Sequence, residues 1–191
     1  EFYAAIKTAE PFLPAVTVIA REQTYVHTFY KKEATAQQPA TSKEEGNLVA
    51  FSGPDFKATF DKQSGLLTSY LYKKHEYILN GQGPRPFFWR APTDNDYGAN
   101  LPVRLKAWKE ASYQEPKAES FQVTPGSNAT TVKVTYRFPQ TDARWDITYK
   151  IYASGVIKVD NRFVAEGDQA PMIPSVGLRM QLPESFTDLT Y

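Results

Sequence analysis

The sequence predicts an all-β chain interrupted by a single short helix, and three observations carry that expectation. Apolar residues recur with a period of two over most of the 191 residues. Turn-forming Gly, Pro, Asn and Asp punctuate the alternating runs. Aromatics make up 14% of the chain and there are 14 prolines, a balance that favours strands and turns over long helices.

At the N-terminus, Phe2 to Lys7 and Val16 to Tyr30 read as strand-like segments. Two or three strands are not a stable domain by themselves, so this piece reads as the end of a sandwich whose beginning is missing. From Lys31 to Gly46 there is almost no large apolar side chain. Such a stretch cannot bury enough surface to offset its ordering entropy and reads as a linker. Beyond it, Phe56, Ala58 and Phe60 run into Asp61-Lys62-Gln63-Ser64-Gly65, and Leu67, Ser69 and Leu71 lead away, as in a hairpin.

The predicted helix covers Val103 to Ala111. Leu105, Trp108 and Ala111 fall at helical spacing there, after Asn100 and Pro102, which suit a helix start. Alternation then resumes, with Val132, Val134, Tyr136 and Phe138 on one face and Lys133, Thr135 and Arg137 on the other. The same pattern runs through Trp145, Ile147, Tyr149 and Ile151, then Ile157, Val159, Asn161 and Phe163, and finally Val176, Leu178, Met180 and Leu182. Each run predicts a half-buried antiparallel strand. Pro125-Gly126-Ser127-Asn128, Ser154-Gly155 and Glu166-Gly167-Asp168 supply the turns. The final residues, Thr187 to Tyr191, still alternate, so the chain reads as cut within a strand. It opens on Glu1-Phe2-Tyr3 without Met, a basic n-region or an apolar h-region, which predicts no signal peptide and reads as a mature or excised piece.

Composition narrows the function classes. There are 22 basic and 21 acidic residues and a net charge of +1, with no run of Lys and Arg. This argues against nucleic acid or an anionic membrane as partner. The lack of cysteine excludes disulfides and thiolate metal sites without fixing a compartment. No stretch approaches the roughly 18 apolar residues of a membrane span. Phosphate loops, nucleophile elbows and His-Glu-x-x-His are absent from the sequence, and His27 and His75 lie far apart.

The densest polar cluster is Arg90-Ala91-Pro92-Thr93-Asp94-Asn95-Asp96-Tyr97-Gly98, preceded by Pro86-Phe87-Phe88-Trp89. Three readings stand open. The cluster is a structural turn in which Asp and Asn bond their own backbone and Arg90 pairs with a carboxylate. Alternatively, Trp89, Arg90, Asp94, Asn95 and Asp96 form a sugar-facing rim, since carboxylates and amides grip hydroxyls while an aromatic face covers the apolar side of a pyranose. The third reading is a hard cation held by Asp94, Asp96 and backbone carbonyls, although the spacing lacks the rest of a calcium loop. Retaining glycosidases need two carboxylates about 5–5.5 Å apart. Asp94 with Asp96, Asp142 with Asp146, and Glu44 with Glu45 are better explained as solvated or ion-paired groups. No strand–helix alternation exists with which to build a catalytic barrel.

The stretch Phe87-Phe88-Trp89-Arg90-Ala91-Pro92-Thr93-Asp94-Asn95-Asp96 closely resembles the N-F-W-R-A-P-T-D-N-D signature in the last domain of long bacterial β-galactosidases of glycoside hydrolase family 2. Phe56 to Tyr70 is similar to that family's F-x-x-x-F-D-K-x-x-G-x-L-x-S-Y. Ala20-Arg21-Glu22-Gln23 resembles the A-R-E-Q that ends the preceding domain, and Trp108 and Ala111 match the residues that follow the signature. The resemblance implies three parts: residues 1–38 as the C-terminal strands of an immunoglobulin-like sandwich, 39–46 as a linker, and 47–191 as the N-terminal part of a mutarotase-like β-supersandwich. It also implies that the parent enzyme hydrolyses terminal β-D-galactosides with retention, through glutamates on a separate upstream barrel.

By the same resemblance this portion carries no catalytic residue and no cofactor or metal of its own, a divalent cation being bound elsewhere in the parent. Its partners are the remaining domains of a homo-oligomeric enzyme, with galactoside touched at most peripherally. Gly98 matches a glycine that starts a mobile loop beside the active-site mouth, so it is either a hinge or a plain turn glycine. The competing class is a stand-alone carbohydrate-binding or interaction sandwich that reads sugar through Trp89, Asp94 and Asp96.

Overall fold

The computed structural model describes residues 2–22, 39–167 and 172–188. Two compact units emerge, one within residues 1–34 and one within residues 35–191. In the first, β1 (Phe2–Ala5) pairs antiparallel with β2 (Val18–Glu22), with a register shift between Ala4 and Ala5. Every residue of both strands is exposed, so this ribbon has no core of its own. β1 ends at Ala5, short of the expected Lys7, and β2 starts at Val18 rather than Val16; residues 23–30 of the expected second segment, with His27, lie outside the described residues.

The second unit holds the core. Its first sheet is a meander in the order β3 (Thr41–Glu45), β4 (Leu48–Ser52), β5 (Phe56–Asp61), β6 (Leu67–Tyr72) and β7 (His75–Glu76). The strand β3 corrects the linker expected over residues 39–46. It carries no apolar residue and is exposed throughout, yet its backbone pairs with β4 from Thr41↔Ser52 to Glu45↔Leu48. An edge strand needs only a neighbour's free amides and carbonyls, and polar composition suits its solvent side. Residues 31–38 of that stretch lie outside the described residues.

The chain then passes through β8 (Arg85–Phe87) into three short helices, α1 (Asp94–Gly98), α2 (Leu101–Arg104) and α3 (Lys106–Tyr113). One helix was expected where there are two, broken at Leu105, and a further one, α1, lies within the segment read as a turn. Pro102 does sit in the first turn of α2, after Asn100.

The second sheet follows, in the order β12 (Ile157–Ala165), β11 (Ala143–Ile151), β10 (Thr130–Phe138) and β9 (Ser120–Thr124), all antiparallel. Its inner face is the one the period predicted: Val132, Val134, Tyr136, Trp145, Ile147, Tyr149 and Ile151 are all buried. They meet Val49, Phe51, Ala58 and Phe60 of the first sheet, with Phe60 edge-on to Tyr149 at 5.0 Å. Opposed pairs such as Val134↔Ile147 and Tyr136↔Trp145 stand directly across the ladder, where cross-strand contacts stabilise most.

The hairpin between β5 and β6 brings the sheets close. Asp61 Oδ1 accepts from the Ser64 amide at 2.6 Å and its hydroxyl at 2.9 Å. Gly65, at φ +74°, comes so near β10 that a Cβ there would lie 2.5 Å from Val134 Cγ1. Only glycine meets both demands.

The last expected strand departs from its pattern. Only β13 (Gly177–Arg179) forms, paired with β8, and Val176, Leu178, Met180 and Leu182 are 38–52% exposed. Alternation identified the extended backbone there but not the exposure of its apolar side chains.

Candidate functional site

The signature begins on β8 and alternates across it. Phe87 is half-buried against the core and edge-on to Tyr113 at 5.4 Å. Phe88, fully buried, turns inward and touches four aromatic rings: Trp108 at 4.8 Å, Phe138 at 5.0 Å, Trp145 at 5.3 Å and Phe163 at 5.8 Å. Its amide donates to Ser112 Oγ at 2.9 Å, and that hydroxyl donates to the Trp108 carbonyl at 2.7 Å. The signature is therefore bolted to α3 by both packing and hydrogen bonds.

Trp89 is only 9% exposed, with Lys109 Nζ 5.7 Å from its ring centre. Little of its face is open for stacking on a sugar. Arg90 reaches across the turn to Asp96: Nη1 donates to Oδ2 at 2.5 Å and Nη2 to Oδ1 at 2.9 Å. Arg90 Nη1 also donates to the Ala91 carbonyl at 3.2 Å, and Nε to the Pro174 carbonyl at 3.2 Å. One guanidinium thus ties together the signature loop, α1 and the segment before β13.

Asp96 is the third residue of α1 and, with Thr93, closes a capping box. Its Oδ2 accepts from the Thr93 amide at 2.7 Å and hydroxyl at 3.0 Å, while Thr93 Oγ1 accepts from the Asp96 amide at 3.4 Å. The Arg90 guanidinium, followed by the Thr93 amide, lowers the Asp96 carboxyl to a pKa of about 2 against the opposing effect of burial. The same hydrogen bonds raise Arg90. Both Asp96 oxygens are occupied by donors, so the group offers neither a proton near neutral pH nor a free ligand to a cation.

A small cleft of about 60 Å³ opens beside this pair, lined by Trp89, Arg90, Asp96, Leu101, Leu105 and Ile173. Three of the sequence candidates, Trp89, Arg90 and Asp96, therefore come together. Asp94 and Asn95 are exposed on α1, outside the cleft lining, and Asp94 sits in the first turn, where its charge favours the helix. Gly98 ends α1 without a positive φ, and nothing lies within 4 Å of where a Cβ would be. The backbone here does not demand glycine.

Two contributors escaped the sequence reading. Thr93 had a local signal, the Thr-x-x-Asp spacing of a capping box. Pro174 had none, because its carbonyl meets Arg90 84 residues away.

Of the other carboxylates weighed in the sequence, Glu44 and Asp146 have partners of their own, as does Glu76 outside that set. Glu44 pairs with Lys62 at 3.1 Å. Asp146 accepts from Thr135 at 2.8 Å and pairs with Arg144 at 3.4 Å. Glu76 accepts from Ser69 Oγ at 2.5 Å and from the amides of Tyr70, Ile78 and Tyr77 at 2.8, 2.9 and 3.0 Å. Burial pushes its carboxyl up, but these donors together hold it below the usual range. Among the described residues, no group of three or more His, Asp or Glu is placed to hold a metal ion.

Comparison with known proteins places these features in one context. Residues 52–191 match the family model described as beta galactosidase small chain. The chain is 31% identical over 157 residues to a beta-galactosidase of Priestia megaterium, covering 82% of this chain and 15% of that protein. It is 29% identical over 195 residues to a beta-galactosidase of Streptococcus thermophilus, covering 100% of this chain and 18% of that one. A beta-galactosidase small subunit of Latilactobacillus sakei is 29% identical over 165 residues, covering 75% of this chain and 50% of the subunit. The chain therefore spans about 15% of the length of the first of these relatives and half that of the small subunit.

Proposed function

The chain belongs to the beta galactosidase small chain family, and from that premise we propose that it is a non-catalytic portion of a β-galactosidase. In this reading it comes from the C-terminal region of a glycoside hydrolase family 2 enzyme. The parent hydrolyses terminal non-reducing β-D-galactosides with retention, using two carboxylates carried on other polypeptide. Residues 1–38 contribute the closing strands of an immunoglobulin-like sandwich, and residues 47–191, with β3 on the sheet edge, open the supersandwich. The remaining domains or subunits of the enzyme are its partners.

The observation that carries this reading is the state of Asp96. A general acid of a glycosidase needs a raised pKa, whereas Asp96 is held at about 2, and a nucleophile needs a free oxygen, whereas both Asp96 oxygens are taken by Arg90 and Thr93. The signature works instead as a brace that fixes α1 beside a cleft, and that brace supports one rim of the parent's pocket. Gly98 at the end of α1 serves as the hinge of the adjoining segment. The burial of Trp89 weighs against the stand-alone sugar-binding module, which needs that ring exposed.

Two measurements test the proposal. The purified chain is expected to release no chromophore from a nitrophenyl β-galactoside and to show no chemical-shift change with millimolar methyl β-galactoside. Release of galactose by this chain alone overturns it, and sugar binding lost on Trp89→Ala replaces it with the binding-module reading. The genomic reading frame around the segment is expected to encode, upstream or in a neighbouring gene, a barrel bearing the glutamate pair.

A further inference from the structure

Arg85 on β8 and Arg179 on β13 are direct cross-strand partners, so their side chains project from the same face of the two-stranded ladder. Like charges so placed repel. The nearest carboxylate to Arg85 is Glu115, 3.9 Å from Nη1 and itself 77% exposed, too distant and too solvated to neutralise two guanidiniums. Among the described residues Arg179 forms no ion pair; its guanidinium lies over the rings of Phe87 at 5.3 Å and Tyr113 at 5.9 Å.

Both arginines line one cavity of about 380 Å³, whose wall also includes Asn80, Gln82, Tyr113, Glu115 and Gln181. Its walls are held by backbone hydrogen bonds, Leu79 N to Gln181 O and Gln181 N to Gln82 O, each 2.9 Å. The Arg85 side chain is only 9% exposed. It is oriented by the Gln82 side-chain oxygen at 3.2 Å and by the Gln114 carbonyl, while its Nε is buried with no partner. Against a fixed guanidinium, a second one on the rim, amides and a phenol, the lining carries one carboxylate, that of the exposed Glu115.

We propose that this cavity is an oxyanion site, taking a carboxylate or a phosphate between Arg85 and Arg179. Planar guanidinium forks match the two oxygens of such groups, and the occupant removes the cross-strand repulsion. The shared chemistry has two sources, a small free anion or an acidic side chain presented by another polypeptide segment. The site stands apart from the Arg90–Asp96 cleft and does not depend on the galactosidase reading.

Thermal melting of the whole chain tests this, with sodium phosphate or N-acetyl-aspartate amide titrated against sodium chloride at matched ionic strength. We expect a saturable rise on the order of 5 °C at a hundredfold excess over Kd. Stronger response to phosphate identifies a free anion, and stronger response to the aspartate amide identifies a side chain. Arg179→Gln, at an exposed position, abolishes the response, and Arg179→Lys weakens it by removing the fork while keeping the charge. In parallel, the Arg85 Nε–H resonance shifts with the same midpoint as the melting curve. Equal stabilisation by chloride, a response that persists in Arg179→Gln, or an unmoved Arg85 resonance leaves an adventitious ion only and overturns the proposal.

Discussion

Arg90 and Asp96 face each other through two parallel hydrogen bonds of 2.5 and 2.9 Å, closing a ring between the signature loop and the first turn of α1. The pair joins two elements within a segment for which the sequence left turn, sugar rim and cation site open, and its charge state has a measurable consequence.

Asp96 has a folded pKa of about 2, below the value near 3.9 of an unfolded aspartate. A depressed carboxylate contributes stability that is complete above its unfolded pKa and disappears as pH falls through its folded pKa. The stability difference between the parent sequence and Asp96→Asn is therefore expected to be constant above about pH 5 and to shrink steadily towards about pH 2. Denaturant midpoints measured at intervals across that window check it. A difference that stays constant to pH 2 would mean the pair does not form.

Phe88 is the hub of the aromatic cluster linking β8, α3 and the second sheet. Its truncation to alanine leaves a large void among Trp108, Phe138, Trp145 and Phe163. The expected loss is about 3–5 kcal/mol, read from urea unfolding. Phe87→Ala, at a half-buried neighbouring position, is expected to cost less.

Gly65 and Gly98 make a contrasting pair. Alanine at Gly65 meets a left-handed backbone and the Val134 and Tyr136 side chains, and is expected to destabilise by about 2–4 kcal/mol. Alanine at Gly98 meets open space, and should leave stability unchanged or raise it by up to about 1 kcal/mol. Melting of the two variants separates the cases.

Tyr136 and Tyr149 are buried inside the sandwich, and burial raises both phenols well above their ordinary value of 10.0. A raised acid gives stability that is intact below its unfolded pKa and falls as pH climbs beyond it. Absorbance near 295 nm is expected to show these two tyrosines un-ionised until the protein unfolds at alkaline pH. Tyr136→Phe should move that unfolding to higher pH, since its hydroxyl makes no hydrogen bond within the protein.

Much of the second unit was legible because β-strands project alternate side chains to opposite faces. Val132, Val134 and Tyr136, and Trp145, Ile147, Tyr149 and Ile151, are the inner face that the period announced. The one polar member of the next run, Asn161, lacked an explanation until the fold placed its side-chain oxygen 3.1 Å from Trp145 Nε1. The strand β3 stayed hidden because an edge strand is recruited by a neighbour's backbone, which leaves no apolar pattern. Helix α1 was hidden differently: its signal was the Thr93–Asp96 cap, while the surrounding Pro, Asp and Asn resembled a turn.

By itself the sequence determined the all-β class, the inward face of most strands in the core and the membership that its signature carries. These rest on local geometry, on side chains alternating along a strand and on residues suited to particular turns. Only tertiary structure decided which charged groups remain available. Asp96 is engaged by Arg90, Arg90 also bonds Pro174, and Arg85 stands against Arg179, contacts set by how distant segments pack. A charged residue's role depends on what fills its hydrogen bonds, and those partners are assembled only when the chain folds.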